Sequence, residues 1–335
     1  MTSVLAATET FEASSPNEDS TLGDFLTIWL PTIAPGVRPS TFSSYSGIVA
    51  DHLVPQLGGL HLVDLTPVKI AAFLSELAIS GNQRGKVRGP LSPRTVRYCH
   101  TLLRRALGDA VAWGLMERNP AALIRAPRNR VPMPKTWTAE ELGVFLTSVR
   151  EERLYAAWLL CATTGMRRGE VLGLSWPEVD LEQSRIQIVK ALVCVRYKPQ
   201  VSDPKTARGR RAVELDPQTT CALAVHRKAM AGEGQDLAGW VFCGQDGSPV
   251  HPVSLTRLFR IRARREGLPP IRFHDLRHTY ASIALAAGIH PKVVSERLGH
   301  ANITITLDTY SHVLPSLHKE AADKVAGIIL KLPEL

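Results

Sequence analysis

Residues 274–310 read HDLRHTYASIALAAGIHPKVVSERLGHANITITLDTY. Apolar residues recurring at helical spacing predict helices over 273–286, 291–298 and 302–312, the first two joined across Ala286-Ala287-Gly288-Ile289. Cations and proton-transfer groups stand beside the helix starts and turns. They are His274 and Arg277 in one segment, His300 after Leu298-Gly299 in a second, and Tyr310 ten residues further on. Each has an ordinary reading. A lone His-x-x-Arg is usually a helix surface, and Tyr310 between Leu307 and Val313 can be a packed aromatic. Residues 278–298 also imitate a helix-turn-helix, in which Arg277, Lys292 and Arg297 would contact phosphates and Tyr310 would be ordinary. His274 and His278 have the i, i+4 spacing of a zinc-binding helix, but the pair encloses Asp275-Leu276-Arg277, whose cation would repel a metal.

Working toward the N-terminus, the same mixture recurs. Thr138 and Glu141 form a capping box that opens a new domain, and helical patterning runs on to about Leu174. Within it lies Thr164-Gly165-Met166-Arg167-Arg168-Gly169-Glu170, with Arg167 and Glu170 on one helical face. The period then changes. Ile186, Ile188, Val189, Val193 and Val195 predict strand, and Arg211–Leu215 is expected to return as another across a turn at Asp203-Pro204 and Gly209, with Lys205 inside that turn. Helices resume over 217–231 and 252–266. In the second of these Arg257, Arg260, Arg262, Arg264 and Arg265 spread around the surface rather than along one face. Beyond 312 a tail helix carries Leu317, Ala321, Val325, Ile328 and Ile329.

The first part of the chain is helical by pattern. Leu22, Phe25, Leu26 and Trp29 share a face, and Thr66-Pro67 and Ser92-Pro93 each place an N-cap hydroxyl before a proline at the first helical position. The expected organisation is a disordered leader over 1–20, a helical domain over 21–118, a basic proline-containing linker over 119–136 and a second domain over 137–335. The fold class that follows is mainly α with a small antiparallel β-sheet in the C-terminal domain.

Composition narrows the partners. Forty Lys and Arg against thirty-one Asp and Glu give a formal charge of +9, although the leader holds Glu9, Glu12, Glu18 and Asp19, so the remainder favours a polyanion. Five widely spaced cysteines without a C-x-x-C pair predict thiols in a reducing compartment rather than a zinc or disulfide framework. No apolar run approaches the roughly 18 residues of a membrane span, and the first twenty residues lack a signal-peptide pattern, which predicts a cytoplasmic protein with no membrane partner.

Phosphoryl transfer without a metal needs cations to stabilise the pentavalent phosphorus, a nucleophile, and groups to take and give protons. Arg167 and Arg277 suit the first task by paired N–H bonds to non-bridging oxygens. In this order, the segments around Arg167, Lys205, His274-Asp275-Leu276-Arg277, Leu298-Gly299-His300 and Tyr310 resemble the tyrosine site-specific recombinases, the phage integrase family, over about residues 21–330. The resemblance implies a two-domain C-shaped clamp on double-stranded DNA. It also implies a phosphate held by Arg167 and Arg277, Lys205 as acid for the leaving 5′-hydroxyl, His274 assisting proton transfer, His300 bonded to the phosphate, and Tyr310 as nucleophile. Glu170 is supporting. A 3′-phosphotyrosine, a Holliday junction, a tetramer on DNA and no cofactor follow from the same resemblance, and the C-terminal helix would dock on a neighbouring protomer. The chain departs from the family at Gly209, where Ser is usual, and at Glu214, where Pro is common. The head is also short for the arm-site-binding domain of larger integrases. A type IB topoisomerase shares the chemistry, and a non-catalytic helix-turn-helix regulator is the reading from another class; a covalent bond from Tyr310 to DNA separates the regulator, and relaxation of any supercoiled plasmid marks the topoisomerase.

Overall fold

The computed structural model describes residues 19–81, 89–126, 133–204, 209–310 and 316–330, with side chains in the last helix from 322 onward. The leader before residue 19, the basic loop over 83–88, linker residues Arg128 and Arg130, and Lys205 lie outside the described residues. The chain divides into two compact units, Met1–Val131 and Pro132–Leu335.

The first unit is built from α1 (Leu22–Ile33), α2 (Pro39–Ile48), which runs through a π turn into the short α3 (Val54–Leu57), α4 (Pro67–Ser80) and α5 (Pro93–Ala112). The predicted caps form. The backbone N–H of Lys69 donates to Thr66 Oγ1 at 3.3 Å, and that of Thr95 to Ser92 Oγ at 3.2 Å, each satisfying a donor the helix start would leave open. Leu22, Phe25, Leu26 and Trp29 of α1 are buried against Val96, Cys99, Leu103, Leu107 and Ala110 of α5. Trp29 Nε1 completes this packing by donating to Asp109 Oδ2 at 2.7 Å. The outer face of α5 exposes Arg94, Arg97, Arg104 and Arg105.

The second unit holds α6 (Ala139–Ser148), α7 (Tyr155–Thr164), the single-turn α8 (Arg168–Leu172), strands β1 (Val179–Asp180), β2 (Arg185–Ile188), β3 (Ala191–Val195), β4 (Lys198–Ser202) and β5 (Arg211–Glu214), and helices α9 (Pro217–Gly232), α10 (Pro252–Arg265), α11 (Asp275–Ala286), α12 (Pro291–Leu298), α13 (Ile303–Tyr310) and α14 (Ser316–Leu330). Its centre is an aromatic cluster of Trp137, Phe145, Trp158, Phe259 and Phe273, in which Phe145 and Phe259 meet edge to face at 5.2 Å. Trp137 fastens the start of the unit to this core: its indole donates to Pro269 O at 2.8 Å and its backbone N–H to Thr279 Oγ1 at 3.1 Å, on α11. The helix of the HDLR segment is therefore anchored from outside itself.

The β structure differs from the single sheet expected. β1, β2 and β5 form one antiparallel sheet, with Ile186 opposite Val213, and both side chains enter the core. β3 pairs instead with β4 in a separate hairpin, closed at Val195 and Lys198. The turn is Arg196-Tyr197, whose φ angles are 47° and 65°. A left-handed pair usually calls for Asn or Gly, and β4 is exposed with Pro199 inside it, so neither turn nor strand carried a sequence signal.

Gly165 ends α7 with φ +64°, and a Cβ built there would lie 2.5 Å from Tyr280 Cδ1 and 2.6 Å from Leu298 Cδ2. Both the conformation and the space exclude a side chain. Gly165→Ala is expected to destabilise the protein by ~2 kcal/mol, read as a lower urea midpoint at unchanged m-value.

Candidate active site

Arg277 is the deepest cation of the site, 4% exposed on the first turn of α11. Its guanidinium donates to Gly165 O at 3.0 Å and to Leu298 O at 2.7 Å. These carbonyls sit at the C-terminal ends of α7 and α12, where helices gather negative potential. Each of those helices exits through a left-handed glycine, Gly165 and Gly299. Burial, followed by the nearby charge of Arg167, pushes Arg277 down to about 9, so it remains a cation at neutral pH.

Arg167 caps α8. Its guanidinium donates to Glu170 Oε1 at 2.7 Å, while its backbone N–H donates to Glu170 Oε2 at 2.9 Å. A third, longer contact of 3.5 Å reaches Gly299 O. Glu170 is 3% exposed and also accepts from Arg211 of β5 at 3.0 Å. Burial opposes its charge, but Arg211 and then Arg167 outweigh that cost and hold the carboxyl below its ordinary value. Arg211 in turn donates to Arg297 O at 2.7 Å, which ties this ion cluster to the end of α12.

Three histidines surround the arginines. His300 bonds through Nδ1 to the buried Thr306 Oγ1 at 2.8 Å, and burial together with Arg277 and Arg167 pushes it down to about 3. His274, at the head of α11, keeps an exposed edge. Desolvation of its inner side, then His278, Arg277 and Arg167, hold it well below its ordinary value. The rings of His274 and His278 meet edge to face at 5.4 Å. Burial also lowers His278, with Asp275 opposing. All three imidazoles are thus neutral at pH 7, able to donate one N–H and to accept one proton.

Tyr310 ends α13 and is 2% exposed, packed with Ala281, Ala284, Leu285, Val294 and Leu298 in a small core separate from the main one. Burial raises its phenol to about 12, against the lowering influence of Arg277. Its hydroxyl lies 2.6 Å from His278 Nδ1. The second unit therefore brings together Arg167, Glu170, His274, Arg277, His300 and Tyr310, six of the seven residues singled out by sequence; Lys205 belongs to the segment 205–208 outside the described residues. Two members of the cluster were missed. By spacing alone His278 reads as a metal ligand and Arg211 as a strand residue.

Neighbouring groups take other duties. The guanidinium of Arg168 donates to Thr256 Oγ1 at 2.6 Å. Asp275 accepts from Arg272, whose backbone N–H and guanidinium both lie at 2.8 Å. On α10, Arg257, Arg260 and Arg264 are exposed, while Arg262 pairs with Glu152. Of the phosphate contacts in the helix-turn-helix reading, Arg277, Lys292 and Arg297, Lys292 is exposed and pairs with Glu296 at 3.1 Å, whereas Arg297 is engaged within the unit, donating to Tyr280 Oη at 2.7 Å and Glu214 O at 3.1 Å. Among the described residues no three His, Cys, Asp or Glu side chains gather for a metal, and no helix is long and apolar enough to cross a membrane.

Residues 137–316 match the phage integrase family, and residues 21–78 match the N-terminal SAM-like domain of phage integrases. The chain is 27% identical over 339 residues to a XerC-like tyrosine recombinase of Caldanaerobacter subterraneus, covering 93% of this chain and 84% of that protein. It is 25% identical to the ICEBs1 integrase of Bacillus subtilis, over 91% of this chain and 82% of the relative. Its fold is similar to the Tn1549 transposon integrase in complex with a circular intermediate DNA, with a TM-score of 0.75 at 19% identity over 92% of this chain and 100% of that one. It is also similar to a lambda integrase tetramer bound to a Holliday junction, with a TM-score of 0.66 at 20% identity over 90% and 80% of the two chains.

Removing the Glu170 charge leaves Arg167 and Arg211 facing each other in a buried setting. Glu170→Gln is expected to cost about 3 kcal/mol at neutral pH. Because the carboxyl is held below the ordinary 4.5, its contribution is present above that value and lost as pH falls through the lower, folded one. Urea titrations of both proteins should therefore converge in acid.

Proposed function

The chain belongs to the phage integrase family, the tyrosine recombinases, and from that premise we propose how its second unit cuts and rejoins DNA. The reading rests on one observation: Arg277 bonds Leu298 O and Arg167 reaches Gly299 O, directly before His300, while His278, next to Arg277, lies 2.6 Å from the Tyr310 oxygen, so the two arginines, the histidines and the tyrosine share one site.

The scissile phosphate takes its place between Arg167 and Arg277, whose remaining N–H groups bind the non-bridging oxygens and stabilise the charge that builds at phosphorus. Arg277 is held in place by Gly165 O and Leu298 O, and Arg167 by Glu170, so little reorganisation is left for the transition state. His300, fixed by Thr306, adds an N–H to the same phosphate. Tyr310 Oη attacks phosphorus, the P–O5′ bond breaks, and the departing oxygen takes a proton from Lys205. His274, at the open edge, assists proton transfer. The product is a 3′-phosphotyrosine, an ester that preserves the phosphodiester energy, so a second 5′-hydroxyl reverses the step without ATP and the scheme requires no cofactor.

Because Tyr310 is buried, the phosphate reaches its oxygen once α13 loosens from α11 and α12. Strand exchange through a Holliday junction needs four such sites, and we assign the self-association to α14, which exposes Val325, Ile328, Ile329 and Leu330, with Ile328 at 78%. Exposed arginines on α5 and α10 supply phosphate contacts to the duplex.

Two outcomes test this reading. A nicked suicide duplex incubated in EDTA should give a denaturation-resistant protein–DNA adduct with the wild type and none with Tyr310→Phe; an adduct from both, or from neither, would remove Tyr310 as nucleophile. A chain ending at residue 315 should still form the adduct on a single site but lose assembly of paired sites, measured by native gel; full assembly by the truncated chain would dismiss α14 as the docking element.

A further inference from the structure

Tyr310 is a phenol made less acidic by its surroundings, and a base is needed to take its proton as the oxygen attacks. The family resemblance points to His274 for proton transfer. The contact geometry singles out another group. His274 makes no hydrogen bond to Tyr310 among those described, whereas His278 Nδ1 lies 2.6 Å from the tyrosine oxygen, with the rings 5.7 Å apart. Building on the recombinase reading, we propose that His278 is the proton acceptor for Tyr310 and hence a catalytic residue of both cleavage and resealing.

The direction of the hydrogen bond follows from the partners. A phenol is a stronger donor than a neutral imidazole N–H, so Tyr310 Oη–H donates to Nδ1 and the ring proton sits on Nε2. Every charged group known to act on His278 fits this assignment. Burial, aided by Arg277 on its own helix and Arg272 in the turn before it, holds the ring below its ordinary value and so favours the form that can accept. Asp275, one turn back on α11, favours the imidazolium once it forms. His274 stands edge to face with His278 at 5.4 Å, and Tyr310 arrives from α13. Position adds a further argument. His278 follows Arg277 directly on a helix anchored to Trp137, so base and phosphate clamp keep a fixed relation while α13 moves.

In the step itself the Tyr310 O–H bond breaks with its proton passing to His278 Nδ1, the oxygen lone pair forms the bond to phosphorus, and the P–O5′ electron pair leaves on the 5′-oxygen, which is protonated by the separate acid. In resealing the imidazolium returns that proton to Tyr310.

Single-turnover adduct formation on a suicide duplex, followed across about pH 6 to 9, tests the assignment in wild type and His278→Asn. Asn retains an oxygen that can accept from Tyr310 but cannot carry its proton away. The variant should be slowed on the order of 100-fold, with a rate that climbs with pH where the wild type is level. Replacing Tyr310 by a fluorinated, more acidic tyrosine should then recover at least about tenfold in the variant while changing the wild type little, a rescue that also certifies folding. A variant rate equal to or above wild type overturns the proposal, making His278 a resting latch. A slow variant with the wild-type pH profile and no fluorotyrosine recovery overturns it too, leaving His278 as packing. Absence of adduct from the wild type would instead strike the recombinase reading.

Discussion

The site is organised by a buried guanidinium that forms no ion pair with a carboxylate among the described residues. Arg277 is 4% exposed and spends two donors on Gly165 O and Leu298 O. An isolated buried cation is costly, and the carbonyl ends of α7 and α12 offset that cost with two short hydrogen bonds and two negative helix poles. Partial charges do not cancel a full one. The residual positive charge is what the proposed phosphate site requires, and a carboxylate placed against Arg277 would have removed it. The geometry also explains the demand for glycine at 165. Only a left-handed residue without a side chain both ends α7 there and fits against Tyr280 and Leu298.

The other charges follow from this one. Glu170 neutralises part of Arg167 and Arg211, and Asp275 is engaged by Arg272, so each described carboxylate nearest the centre is committed to an arginine other than Arg277. Burial, aided by the nearby cations, holds His274, His278 and His300 below their ordinary values. A site of this composition stabilises negative charge with guanidinium groups and moves protons with neutral imidazoles, the division of labour that phosphoryl transfer asks for when no divalent ion is engaged.

Much of this was legible in the chain, for identifiable reasons. Helices with a hydroxyl cap and proline at the first position, as at Thr66-Pro67 and Ser92-Pro93, declare themselves locally, and the periodicity over 217–231, 252–266 and 291–298 places α9, α10 and α12 within a residue at either end. The β3–β4 hairpin escaped because its turn uses Arg196 and Tyr197 in a conformation normally left to glycine or asparagine. Within the site, Arg167 and Glu170 share one turn, so their pairing could be read from spacing. The bond from Arg211 to Glu170 spans 41 residues, and that from His278 to Tyr310 spans 32. Contacts of that range depend on how elements pack, and neither residue stood in a segment where spacing alone distinguishes a functional role from a structural one.

The division of the core bears on how such a site can work. Leu276 and Phe273 bind the head of α11 into the large aromatic core, whereas Ala281, Ala284 and Leu285 further along the same helix form a small separate cluster with Val294, Leu298 and Tyr310. Opening free energies within one protein range from near zero up to the global stability, and small peripheral clusters lie at the lower end. Arg277 thus joins the two, following Leu276 of the large core and bonded to Leu298 of the small one, while Tyr310, the proposed nucleophile, belongs to the small cluster alone. Separating α13 from its cluster exposes a few apolar side chains, while displacing Arg277 would break the ends of two helices. In the proposed mechanism a Tyr310 shielded until DNA binding offsets that small cost would be restrained from attacking other electrophiles, and the phosphate would receive it at a site already set.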